Sequence, residues 1–184
     1  LDLAGSTDLG ILENLYVHFG IAPTDEQKHA FFEAYHRHLE ASLEADPTDG
    51  RVLDGVIELL EHLAATGHAQ LALLTGNTSH GARIKLRHYG LDHHFNFGAY
   101  GSDRSDRNLL GMIALERALA FTGRSYHPDH TLVIGDTPKD IACAHAIGAR
   151  CLAVATGRFC AAELEKEGAD WVLGSLKDLA PGGG

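Results

Sequence analysis

Cysteine, methionine and tryptophan are scarce in this chain: three, one and one among 184 residues. Three cysteines cannot build the disulfide framework of a small secreted domain. Cys143, Cys151 and Cys160 sit in apolar settings, so they read as reduced core or near-core thiols, and the expected compartment is cytoplasmic. Long apolar runs are missing as well. The longest aliphatic stretches, such as Leu71-Ala72-Leu73-Leu74, fall far below the roughly 20 residues a bilayer-spanning helix needs, so no membrane partner is expected. Positive charge is short: Lys and Arg total 15 against 25 Asp and Glu, a formal net charge of -10. That balance argues against non-specific nucleic-acid binding, which needs a cationic surface. The opening Leu1-Asp2-Leu3-Ala4-Gly5 carries neither the basic region nor the apolar core of a signal peptide.

What is present is ordinarily globular: 45% apolar and 22% charged residues, enough for one domain or one domain with a small insert. The first fifty residues carry helix signals only. Ser6 or Thr7 can cap a helix with an apolar stripe of Leu12, Leu15, Tyr16 and Phe19, and Thr24 with Gln27 forms a capping-box pattern. Phe31, Tyr35, Leu39 and Leu43 follow at four-residue steps and read as a core stripe; Asp46-Pro47-Thr48-Asp49-Gly50 then breaks the chain. From Arg51 onward helix and strand alternate, with short apolar strands expected at 69–74, 95–100, 131–135, 151–155 and 170–173. That alternation predicts an α/β fold with a parallel, helix-covered sheet. The expected division is a small all-helical unit at 1–50 and an α/β core at 51–184.

In open parallel sheets ligands sit beyond the carboxyl ends of the strands, and two such ends carry unusual chemistry. The first is Leu132-Val133-Ile134-Gly135-Asp136-Thr137-Pro138-Lys139-Asp140. Thr137 suits an N-cap and Pro138 the first helical position, so Asp136 leaves the strand as Asp140 points back from the first helical turn. Two converging carboxylates suit a hard divalent cation, Mg²⁺ foremost. The same pair also reads as a turn residue and a partner for the helix dipole. The second end is Leu74-Thr75-Gly76-Asn77, where a hydroxyl, a glycine and a polar residue before a helix make a cradle of backbone N–H groups for phosphate.

Taken together, a strand ending in Thr75-Gly76-Asn77 and, some sixty residues on, an apolar strand ending in Gly135-Asp136-x-x-x-Asp140 resemble the haloacid dehalogenase (HAD) superfamily of phosphatases. The stretch from Asp136 to Ala149 is similar to its fourth motif and following helix; Leu53-Asp54-Gly55-Val56 resembles the helix entering the core, and Gly5-Ser6-Thr7-Asp8 the start of a helical cap of the phosphoglycolate-phosphatase-like group. The resemblance implies Mg²⁺-dependent hydrolysis of a small phosphorylated metabolite through an aspartyl-phosphate. It implies that Thr75, with Gly76 and Asn77, binds the phosphoryl oxygens, that Asp136 and Asp140 hold Mg²⁺, the latter directly or through water, and that a basic residue offsets the phosphate charge. Arg107, just before the helix at Leu109, is the first candidate for that residue; Arg104 and Lys85 follow, Lys85 lying mid-helix with solvent-face spacing. Sugar-phosphate mutation, phosphonate cleavage, dehalogenation and an inactive binding protein are the other outcomes the resemblance allows.

The pattern is incomplete at its start. The first motif, Asp-x-Asp-x-Thr after an apolar strand, is absent; Asp2 and Ala4 imitate it without a strand before them. The nucleophile strand is therefore expected upstream of Leu1, and it would lie between the strands at 69–74 and 131–135, which should then not pair with each other. The thirteen histidines form no zinc spacing and read as solvated surface, and Trp171 reads as core.

Overall fold

The structure, a computed structural model, describes residues 3–46 and 50–179. Asp2, the chain break at 47–49 and the tail at 181–184 lie outside the described residues.

Local rules set the first two helices. Helix α1 (Asp8–His18) is capped by Thr7, whose hydroxyl oxygen accepts from Gly10 N at 3.0 Å. Thr7 is almost fully buried because the same hydroxyl donates to Ser105 O at 2.6 Å, which pins the start of the chain to the core. Helix α2 (Asp25–Ala45) opens with the complete Thr24–Gln27 capping box. It has no buried residue, and Phe31 is 42% exposed. The Phe31/Tyr35 stripe is therefore not core: α2 packs chiefly on one helix, α4 (Ser79–His88), so only part of its girth is covered.

Helix α3 (Val56–Thr66) runs between Gly55 and Gly67, both at positive φ. At Gly55 a side chain would strike the backbone of Lys177, so the left-handed turn and the close approach both require glycine. Strand β1 (Leu73–Thr75) pairs in parallel with β2 (Gly98–Tyr100). Helix α5 (Leu110–Thr122) follows a single 3₁₀ turn at Arg107–Leu109. Strand β3 (Leu132–Gly135) leads into α6 (Pro138–Ala146), then β4 (Arg150–Val154), α7 (Ala161–Lys166) and β5 (Trp171–Leu173). The second sheet runs β3-β4-β5, all parallel, with Val133 opposite Cys151 and Ala153 opposite Val172.

This is the expected α/β class, with the parallel strands divided between two sheets. Among the described residues β1 and β3 do not pair, so each keeps one free edge. Val133 points into the core, whereas Leu132 and Ile134, on the other face by the period of two, are 48% and 40% exposed.

One core cluster joins Val133, Ile141, Ala144, Cys151, Ala153 and Leu164; a second joins Ala99, Leu110 and Cys143; Leu74 packs against both. Cys143 and Cys151 are the core thiols read from the sequence, while Cys160 is exposed at the start of α7. Trp171 is also not core: it is 48% exposed, with the Arg150 guanidinium over its ring at 5.5 Å. Leu164 is wholly buried. Leu164→Ala should cost about 2–5 kcal/mol of stability, read as a lowered urea midpoint at unchanged slope.

Candidate active site

The turn after β1 brings Thr75, Gly76 and Asn77 to the carboxyl edge of the first sheet. Thr75 Oγ1 accepts from Asn77 N at 3.1 Å and from Asn77 Nδ2 at 2.9 Å. The Thr78 hydroxyl caps α4 through Gly81 N at 3.0 Å, and Thr78 N donates to the Asp8 carboxylate at 2.7 Å. Ser79 N donates to Ser102 Oγ at 3.1 Å. The amides at 77, 78 and 79, expected as an open cradle, are thus satisfied internally.

The chain between β2 and α5 is fixed by an ion pair. Arg117 reaches back from α5 to Asp103, with Nη1 to Oδ2 at 2.6 Å and Nη2 to Oδ1 at 2.8 Å, and also donates to Gly98 O at 2.6 Å. The guanidinium holds the Asp103 carboxyl below its ordinary range against the opposing effect of burial. Asp106 then caps the 3₁₀ turn by accepting from Asn108 N at 2.9 Å. That turn delivers Arg107 to the site.

Arg107 is the hub. Its Nη2 pairs with Asp140 Oδ1 and its Nη1 donates to Gly5 O at 3.0 Å. Its side chain is 12% exposed, and its buried Nε–H meets no acceptor among the described residues. A side chain added at Gly76 would strike Ser6 O and stand 3.1 Å from Arg107 Nη1, so Gly76 leaves room for the guanidinium against the β1 turn. Arg104, by contrast, points to its neighbour Asp103 O at 2.8 Å and is exposed.

At the end of β3, Asp140 closes a capping box on α6. Its Oδ2 accepts from Thr137 Oγ1 at 2.8 Å, Thr137 N at 3.0 Å and Asp136 N at 3.2 Å. With Arg107 on Oδ1, both oxygens of Asp140 are engaged. Asp136 is freer: its carboxylate lies against Gly157, where any side chain would collide with Oδ2. Burial, and then the charge of Asp140, push the Asp136 carboxyl above its ordinary range despite Arg107. Among the described residues no group of three or more His, Cys, Asp or Glu is placed to hold a metal, so Asp136 and Asp140 would form part of a cation's oxygen shell. The donor type fits Mg²⁺, which is held by one or two carboxylates with water, and a cation would relieve the repulsion between the two carboxylates.

These strand ends are stitched together by residues 5–8 and by Arg107. Asp8 N donates to Gly76 O at 2.7 Å, and Lys139 Nζ donates to Ser6 Oγ at 2.6 Å. The sites after β1 and β3 are therefore one site.

A HAD-hydrolase-like family model matches residues 111–179. A 5'-nucleotidase of Pseudomonas aeruginosa is 33% identical over 109 residues, 59% of this chain and 48% of the relative. The crystal structure of a hydrolase from Pseudomonas syringae superposes with a TM-score of 0.70 at 26% identity, covering 96% of this chain and 77% of that one. Over residues 111–179 the chain is therefore similar to haloacid-dehalogenase-like hydrolases. A predicted phosphoglycolate phosphatase from Haemophilus somnus shares the fold at a TM-score of 0.66 and 20% identity, covering 96% of this chain and 77% of that one. The chain spans about half the length of the curated relative it matches.

Two residues at the site differ from their sequence reading. Lys85 does not face solvent: its Nζ donates to Asn77 Oδ1 at 2.7 Å. His36 is not plain surface: its Nε2 meets Thr78 Oγ1 at 2.7 Å, joining α2 to the start of α4, and burial and the nearby His80 push its imidazole below the usual range although Asp8 and Glu40 oppose this. The one available signal was periodicity: His36 follows Phe32, on the face that α2 turns to α4.

Proposed function

We propose that the intact protein is a Mg²⁺-dependent phosphomonoester hydrolase acting on a small phosphorylated metabolite through an aspartyl-phosphate. The observation that carries the reading is Arg107, whose guanidinium pairs with Asp140 beyond β3 and also lies against Gly76 beyond β1. A phosphoryl group entering between these strand ends would meet a cation on one side and the Thr75 hydroxyl on the other. Thr75 would donate to a phosphoryl oxygen, and Arg107 would offset charge that grows in the transition state. Asp136 would be the direct Mg²⁺ ligand, with Asp140 acting through water, since both of its oxygens are engaged. Bound Mg²⁺ would neutralise charge and polarise the phosphoryl oxygens.

The covalent step needs a carboxylate. We place it on a strand outside these residues, seated between the free edges of β1 and β3. The exposed Leu132 and Ile134 support that placement, because an added strand and its connection would cover them. There the carboxylate oxygen bonds to phosphorus as the ester P–O bond breaks, and the leaving alcohol takes a proton from a general acid. Water then attacks the phosphorus of the acyl phosphate, releasing inorganic phosphate and restoring the carboxylate. Residues 1–50 would be part of the helical cap, and 51–184 the core. No helix among the described residues is long and apolar enough to cross a membrane.

The test is a panel of phosphomonoesters against the intact protein. Turnover is expected with Mg²⁺, lost with EDTA and restored when Mg²⁺ is returned. Phosphate binding without turnover of any ester would instead favour an inactive binding protein.

A further inference from the structure

We propose that Lys85 is a positioning residue: through the Asn77 amide it fixes the polarity of the Thr75 hydroxyl, reserving the Thr75 proton for a phosphoryl oxygen. This rests on the hydrolase reading above.

The chain of contacts is short. Lys85 Nζ donates to Asn77 Oδ1 at 2.7 Å, and Asn77 Nδ2 donates to Thr75 Oγ1 at 2.9 Å. An ammonium group has three donors and no acceptor, so the amide atom facing it must be oxygen. That settles which way the Asn77 amide lies, a choice otherwise open to a flip. The NH₂ end is then committed to Thr75. Asn77 N donates to the same hydroxyl oxygen at 3.1 Å. A hydroxyl has two acceptor lone pairs and one proton. Both lone pairs of Thr75 are filled from within the loop, so its proton is the only bonding capacity left. Among the described residues that proton meets no protein acceptor.

A carboxylate also lies in the neighbourhood of Lys85. The carboxylate of Asp8, anchored to Thr78 N at 2.7 Å, lies close enough to feel the ammonium charge. Burial pushes the Asp8 carboxyl up, while Thr78 N, Lys85 and His36 work against this.

Without the ammonium nothing prevents the Asn77 amide from turning over. Its oxygen would then face Thr75 and accept the Thr75 proton. The side chain that should donate to substrate would donate to its neighbour instead, with no change in shape.

The test uses the full-length protein with two probes, turnover of p-nitrophenyl phosphate and calorimetric binding of inorganic phosphate. Lys85→Met should lose about ten- to a hundredfold in kcat/KM and in phosphate affinity, the worth of one hydrogen bond to a charged group. Lys85→Arg, also a pure donor, should restore most of both and controls for folding. Asn77→Asp, whose two oxygens only accept, should lose as much as Lys85→Met with the lysine intact. In a Thr75→Val background, Lys85→Met should cost nothing further. An active wild type with an unimpaired Lys85→Met overturns the lock and leaves the hydrolase reading standing. An undiminished cost in the Thr75→Val background also overturns it, because the lysine would then meet phosphate directly. A wild type that neither binds phosphate nor turns over ester removes the hydrolase reading, and the lock with it.

Discussion

Asp136→Asn is expected to abolish turnover and, at neutral pH, to raise the stability of the metal-free protein. The two effects have one cause. The Asp136 carboxyl is pushed above its ordinary value of 3.8 by burial and by the charge of Asp140. The folded state therefore prefers the protonated form. Below pH 3.8 the side chain is neutral both folded and unfolded, and no cost arises. The cost appears as pH climbs through 3.8 and is complete above the raised folded value. At neutral pH the wild type carries it in full; asparagine, of the same shape and uncharged, does not. Each kcal/mol relieved should lift Tm by about 2–4 °C for a chain of this size. The gain should shrink on acidification toward pH 3.8.

Mg²⁺ is expected to reverse the ranking. A ligand that binds only the native state raises stability by mass action, so Mg²⁺ should lift the wild-type Tm and leave Asp136→Asn almost unmoved. Loss of activity of at least about 10²–10³-fold is expected, the scale of removing one preorganised electrostatic contact. Thermal denaturation with and without Mg²⁺, beside turnover, checks both halves. Full activity in Asp136→Asn would remove the metal role of this residue. A destabilised metal-free variant would show that its charge supports the fold.

What the sequence made legible here is what short-range geometry decides. The Thr24–Gln27 box and the Thr137-Pro138 helix start depend on neighbours three residues apart, and both appear where the pattern puts them. The β1 boundary was less legible: the apolar run starts at 69, but β1 starts at Leu73, because a strand extends only as far as it has a partner and β2 offers three residues. Lys85 was misread for a related reason. It lies one turn beyond the buried Gly81 and Ala82, and what its ammonium meets there, Asn77 Oδ1 eight residues earlier, is a partner that only the folded β1 turn supplies. Asp140 shows the reverse case. Of the two readings left open for it, the helix-start partner is what Oδ2 does at α6, while Oδ1 pairs with Arg107, so a metal role stays part of the proposal.

Arg107→Ala is expected to lower both stability and activity, and the two losses can be told apart. The Arg107 and Asp140 side chains are 12% and 6% exposed, so the pair is largely shielded from water. Removing one member of a buried pair typically costs about 3–5 kcal/mol, because the remaining charge is left without its partner. Here the lower end is expected, since Asp140 Oδ2 keeps three donors from Asp136 and Thr137. Activity should fall further, by about 10²–10³-fold in kcat/KM, if the guanidinium also offsets phosphate charge. Arg107→Lys should recover only part of either: one ammonium replaces a planar fork whose Nη1 and Nη2 serve Gly5 O and Asp140 at once. The separating variant is Arg107→Met with Asp140→Asn. Replacing both charges removes the stranded carboxylate, so the urea midpoint should return most of the way to wild type, while kcat/KM stays at or below the level of Arg107→Ala. Were turnover to return along with stability in that double variant, Arg107 would be a brace between two strand ends, and the charge facing the phosphate would have to come from elsewhere in the site.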